Sequence, residues 1–135
     1  MKSLALLALI LAAAGCGESG NDLGASYDLS VLGSGFGADD GRVLYFAVTR
    51  TDTGTIVATD TTTVRAGGFE LSFSSLLDQG VTYEADYYVD VNGNGRCDAP
   101  PTDHVWREAV PAAQSNATLQ VSGATGYDGS ACTAF

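Results

Sequence analysis

The stretch Val81-Thr82-Tyr83-Glu84-Ala85-Asp86-Tyr87-Tyr88-Val89-Asp90-Val91 decides the fold. Tyr83, Ala85, Tyr87 and Val89 fall on one face and Glu84, Asp86, Tyr88 and Asp90 on the other, the period of two that a β-strand imposes on its side chains. The first set is the expected core face. The same period recurs at Tyr27, Leu29 and Val31, at Leu44, Phe46 and Val48, and at Phe69, Leu71 and Phe73. Thr55 to Arg65 is rich in Thr and Val, which favour strands. The turn-forming Thr51-Asp52-Thr53-Gly54 joins it to residues 42–50 as a hairpin. His104 to Val110 and Ala117 to Val121 bring the total to about seven strands, the pattern of a single antiparallel β-sandwich.

No stretch beyond the N-terminal segment carries a helical stripe, so the expected class is all-β. An immunoglobulin-like and a transthyretin-like order of strands both fit the spacing. The N-terminal segment is different in kind. Met1 to Gly20 contains Lys2, an apolar run from Leu4 to Ala14, and then Ala13-Ala14-Gly15-Cys16. The run is too short to span a bilayer, which takes about 20 apolar residues, and its small residues suit cleavage.

This segment resembles a bacterial lipoprotein signal, departing from the family pattern at Ala13, where Leu is commonest. The resemblance implies diacylglycerol on the Cys16 sulfur, cleavage after Gly15, and a palmitate-like acyl chain on the new amine. Two or more chains make a stable membrane anchor. Gly17 follows where an inner-membrane retention signal places Asp, so the expected location is the outer membrane or cell surface. The domain plan is a signal peptide at 1–15, an anchor and flexible tether at 16–26, and a sandwich at 27–135.

The chain carries six Lys and Arg against sixteen Asp and Glu, for a formal charge of −10. Loss of Lys2 with the signal leaves a mature charge of about −11. Such a surface repels nucleic acid and anionic headgroups, whose recognition relies on Lys and Arg. It favours cations or basic partners, and acidity by itself also serves solubility. With Cys16 taken by lipid, Cys97 and Cys132 remain as an even pair in an oxidising compartment, which points to a disulfide. On the chain-entropy account it contributes about 4 kcal/mol.

Asp90-Val91-Asn92-Gly93-Asn94-Gly95-Arg96-Cys97-Asp98 matches the opening of a calcium loop, D-x-[DN]-x-[DN]-G. Side-chain oxygens occupy loop positions 1, 3, 5 and 9, and the Arg96 carbonyl stands at position 7. Ca²⁺ takes about 6 to 8 oxygens, and alternate residues of a tightly curled loop aim inward. The loop looks like those of EF-hands and dockerins. It departs from them at position 12, which is Pro101, and Pro100-Pro101 argues against a following helix. Asp103 is the nearest substitute ligand. Read without a metal, the two Asn-Gly pairs make a tight hairpin turn.

Catalysis draws little support. His104 stands alone, Ser72, Ser74 and Ser75 lack a nucleophile elbow, and Glu84 with Asp86 share a strand face rather than opposing each other across a cleft. The expected protein is therefore not an enzyme; a small hydrolase using paired carboxylates is the least favoured reading. The expected function is a lipid-anchored structural, adhesive or binding module, stabilised by Ca²⁺, with a surface glycan or another surface protein as partner. The alternative is a carbohydrate-binding module in which Trp106 and Tyr88 form a stacking platform beside the loop. It requires one of those rings to be exposed. A single Trp in a sandwich is more often core, and Asn116-Ala117-Thr118, a glycosylation acceptor in form, reads as the start of a strand.

Overall fold

The computed structural model describes residues 24–124 and 126–135; the lipoprotein-like signal, Cys16 and most of the tether lie outside them. Seven strands run in chain order: β1 Ser26–Ser34, β2 Val43–Arg50, β3 Thr55–Thr63, β4 Phe69–Asp78, β5 Tyr83–Val89, β6 His104–Val110 and β7 Ala117–Ser122. Each coincides with a stretch whose composition or period of two marks it as a strand. Short 3-10 turns at Gly37–Asp39 and Gly129–Ala134 complete the described elements.

The strands form two sheets, one in the order β4-β1-β7 and the other in the order β3-β2-β5-β6. Pairing is antiparallel except between β1 and β7, which run parallel. The order excludes the immunoglobulin arrangement, in which the first two strands share a sheet. Here they lie in opposite sheets. The β2–β3 hairpin forms as expected, closed by Gly54 at φ +68°, where its N–H donates to the Arg50 carbonyl at 2.8 Å.

The core is built on a cross-strand row of rings. Phe46, Tyr87 and Trp106 are register partners on β2, β5 and β6. Their rings stack at 5.7 and 5.3 Å, and Phe73 of the facing sheet lies 5.9 Å from Phe46. Near-parallel aromatic neighbours in this range add attraction beyond their buried area. Tyr83, Ala85, Tyr87 and Val89 all point into this core, as their alternation requires. The Tyr87 hydroxyl is buried without a hydrogen-bond partner among the described residues, and burial pushes its pKa up. Trp106 is 3% exposed, and its indole N–H donates to the Ala124 carbonyl at 3.1 Å.

The other face of β5 is covered as well, which alternation does not reveal. Asp86 and Tyr88 are buried there at 1% and 2% exposure. The C-terminal turn Gly129–Ala134 lies over them. Ala131 joins Tyr88 and Val105 in a second, smaller apolar cluster flanked by Tyr45, Cys97 and Cys132. Arg107 holds Asp86 through two hydrogen bonds, at 2.7 and 3.2 Å, pairs with Glu84 at 3.0 Å, and donates to the Ser130 carbonyl at 3.3 Å. A carboxylate so deeply buried is tolerated because its partner is bidentate.

Replacing Arg107 with Met leaves Asp86 buried and unpaired, and is expected to cost about 3 kcal/mol in urea unfolding. The Arg107→Met, Asp86→Leu double variant restores most of that loss. Equal stability of the single variant and the parent would contradict the assignment.

Candidate functional site

The candidate site is the loop that leaves β5 at Asp90 and returns to β6 at Asp103. Asp90 is 7% exposed. One of its oxygens accepts the N–H groups of Gly93 and Asn94 at 2.7 and 3.1 Å, and the other accepts that of Gly95 at 2.8 Å. Gly93 and Gly95 both adopt φ +72°, so the curl needs residues without a Cβ. Asn92 and Asn94 continue the winding, their Oδ1 atoms accepting the N–H of the residue two ahead, at 3.1 and 2.8 Å. Such short side-chain-to-backbone bonds are what Asn and Asp contribute to turns.

The side chains at loop positions 3, 5 and 9 meet. Asn92 and Asn94 each donate a side-chain N–H to the same Asp98 oxygen, at 2.8 and 2.7 Å. These donors, Asn92 foremost, hold the Asp98 carboxyl below the usual carboxylate range. Asp103 has 0% exposure; one oxygen accepts the Val91 N–H and the other the Asp98 N–H, both at 2.9 Å. It ties the two ends of the loop together. This is a backbone-fastening role that the spacing alone did not reveal.

Among the described residues no group of three or more His, Cys, Asp or Glu side chains gathers closely enough to hold a metal ion. The loop's donors are instead a mixture of carboxylate, amide and carbonyl oxygens, a chemistry suited to a hard cation. The curl and the position-6 glycine match the calcium-loop pattern, and positions 3, 5 and 9 meet through amide N–H groups donated to Asp98. In the present arrangement the Asn92 and Asn94 side-chain N–H groups face Asp98, while their Oδ1 atoms hold the Asn94 and Arg96 backbone N–H groups.

The disulfide is present between Cys97 and Cys132, with Cα atoms 5.3 Å apart. The proposed aromatic platform is not. Trp106 points into the core and Tyr88 into the smaller cluster on the opposite face, and both are buried. Both rings are covered by protein, and because they face opposite sides of the sheet they do not share a platform. The partly exposed ring beside the loop is Tyr45, stacked on Tyr88 at 4.8 Å. It was legible only as the face of β2 opposite Leu44, Phe46 and Val48. Tyr45, Arg42 and Val43 line an open cleft of about 570 Å³ against residues 90–95.

Tyr88 also registers the charge around the loop. Burial first, and then Tyr45 and the neighbouring Asp90, Asp103 and Asp98, push its pKa up to about 12. His104 is paired as well: its Nδ1 lies 2.8 Å from Asp39, a buried carboxylate brought in from the β1–β2 connection, and its ring stacks on Tyr127 at 4.9 Å. Sequence gave no signal for Asp39, 65 residues away. The Asn116 side chain accepts the Asp28 N–H at 3.0 Å immediately before β7, which ties that strand start to β1.

The fold and loop define an all-β sandwich whose disulfide joins an oxygen-rich end loop to its C-terminus. No family model matches the chain, and no curated protein matches it. Among solved structures it is similar to a fimbrial assembly protein from Parabacteroides distasonis ATCC 8503, at 12% identity and a TM-score of 0.45, over 72% of this chain and 52% of that one. The chain therefore spans about half the length of that structure.

Asp98 sets an acid limit on the loop. Its pKa is lowered in the folded chain, so its contribution is present above the ordinary Asp value near 4 and is lost as pH falls through the lowered value. In a metal-free acid titration followed by NMR, the Asn92 and Asn94 side-chain amide signals are expected to shift together as Asp98 protonates. Signals unchanged to complete protonation of the exposed carboxylates would contradict the Asp98 contacts.

Proposed function

We propose that the protein is an exported, lipid-anchored β-sandwich that serves as a non-catalytic structural or adhesive module at the cell surface, with Ca²⁺ holding the 90–98 loop in its working shape. The observation that carries the cation is the meeting of Asn92, Asn94 and Asp98 at one point inside a loop already curled around Asp90. Asp90, Asn92, Asn94, the Arg96 carbonyl and Asp98 would hold the ion. Asp103 would keep the loop ends together. Bound Ca²⁺ would supply charge neutralisation and rigidity.

Export and anchoring rest on the Cys16 signal and agree with the Cys97–Cys132 disulfide, since such bonds persist in oxidising compartments. The glycan-binding alternative loses its stated support with the burial of Trp106 and Tyr88. A module whose end loop is stiffened in this way is suited to holding a rigid contact surface outside the cell. The partner is a surface protein or glycan, met through loops rather than through a catalytic cleft.

The test is calorimetric titration of Ca²⁺ into the chain from Gly17 onward, after chelation. One site with Kd of about 10⁻⁴ to 10⁻³ M is expected, as in extracellular modules. Asp90→Ala should abolish it and Asp98→Asn should weaken it, with a rise in melting temperature on adding Ca²⁺ that is smaller in Asp98→Asn and absent in Asp90→Ala. Absence of heat at concentrations several-fold above that range would reduce the loop to a hairpin turn.

A further inference from the structure

The disulfide is placed where it does more than close a chain segment. Cys97 occupies loop position 8, between the Arg96 carbonyl and Asp98, so its backbone belongs to the loop itself. Cys132 belongs to the C-terminal turn Gly129–Ala134, which covers Tyr88 and Val105. One covalent bond therefore joins the oxygen-rich loop to the segment that seals the outer face of the sheet.

Besides the disulfide and the fully buried Ala131, that segment has few ties to the sheet. It is a six-residue 3-10 turn, a length and geometry with little stability of its own. Asp128 caps it through the Ser130 N–H at 2.9 Å, and the Asp128 N–H reaches the Val105 carbonyl at 2.8 Å. Beyond these, Arg107 reaches the Ser130 carbonyl at 3.3 Å, and Phe135 meets the Tyr88 ring edge-on at 4.8 Å while itself 45% exposed. The two sulfurs belong to half-buried residues, packed beside Tyr45, Tyr88, Val105 and Ala131.

We infer that Cys97–Cys132 is a reducible latch that couples cation binding at the 90–98 loop to docking of residues 128–135, so that an external dithiol weakens both together. The inference rests on the loop being a Ca²⁺ site. In the exchange, a thiolate of the dithiol attacks one protein sulfur and breaks the S–S bond. The second thiol of the reagent then resolves the mixed disulfide. Two electrons pass from the dithiol to the protein, which gains two thiols, and the dithiol leaves as its own disulfide.

Once the bond is open, the turn separates from Tyr88 and position 8 of the loop loses its tether. Coupling of this kind is reciprocal for binding free energies. Ca²⁺ on the loop should therefore also hold the turn in place. The sandwich core does not depend on the latch, because Phe46, Tyr87 and Trp106 lie on the inner face of the sheet.

The experiment uses the full chain in detergent micelles, oxidised or reduced with dithiothreitol, and reads three quantities. Ca²⁺ affinity is expected to fall about 5-fold or more on reduction, the lower end of ordinary allosteric coupling. Hydrogen exchange at Ala131 and Cys132 should quicken on reduction and slow again with Ca²⁺. Emission from Trp106 should stay that of a buried indole. The Cys97→Ser, Cys132→Ser variant should behave as the reduced parent without any reagent.

Equal Ca²⁺ affinity in both redox states overturns the coupling. Trp106 becoming exposed on reduction also overturns it, since the bond would then be a staple for the whole sandwich. If the oxidised chain binds no Ca²⁺ at all, the cation reading of the loop fails and the coupling with it, an outcome separate from equal binding in the two states.

Discussion

The loop end of the molecule and its C-terminal turn depend on burial of the face of β5 that looks away from the core. Asp86, Tyr88 and Asp90 lie on that face at 7% exposure or less, although an antiparallel sheet of this kind ordinarily leaves one face to water. A buried carboxylate and a buried phenol there need a cover and partners. The C-terminal turn is the cover, Arg107 is the partner of Asp86, and Tyr45 and Phe135 enclose the Tyr88 ring. Without them, Asp86 would lose its charge partner and Tyr88 its enclosure.

The loop inherits its shape from the same constraint. Asp90 continues the outer face of β5 one residue past the end of the strand, so its carboxylate is directed to the side where the chain must turn. It then accepts three backbone N–H groups, an arrangement that replaces the lost sheet partners of that segment. Asp103 repeats the device at the far end by accepting N–H groups from both limbs. Between these two buried carboxylates, Asn92, Asn94 and Asp98 are left to converge. The oxygen-rich centre is thus a consequence of satisfying backbone donors with acidic side chains.

Much of this was legible in the sequence, for identifiable reasons. A period of two survives where one face meets the core, so β1, β2, β4 and the inner face of β5 could be read from it, while β3, with no buried residue, was legible only through its Thr and Val content. Cysteine parity led to the disulfide. The loop spacing led to Asp90, Asn92, Asn94 and Asp98. Burial from the second side was not legible, because it depends on where residues 128–135 travel after β7, and no local pattern records that path. Misplacement of Tyr88 as an exposed platform follows from this. Trp106 lies in the core, the place a lone Trp in a sandwich usually takes, in register with Tyr87 rather than beside Tyr88. The Asp39–His104 pair joins distant segments and leaves no trace in spacing. Strand order was open for the same reason, since pairing of β1 with β7 is set by the path of the whole chain.

The central claim is that the point where Asn92, Asn94 and Asp98 meet is a cation site beside the Tyr45–Tyr88 stack. Terbium is the direct probe, because excited tyrosine transfers energy to a bound terbium ion only at close range. The account predicts terbium emission on tyrosine excitation, displaced by Ca²⁺ and lost in Asp98→Ala while Trp106 remains buried. Emission that is absent, or that persists unchanged in Asp98→Ala and in excess Ca²⁺, would contradict it.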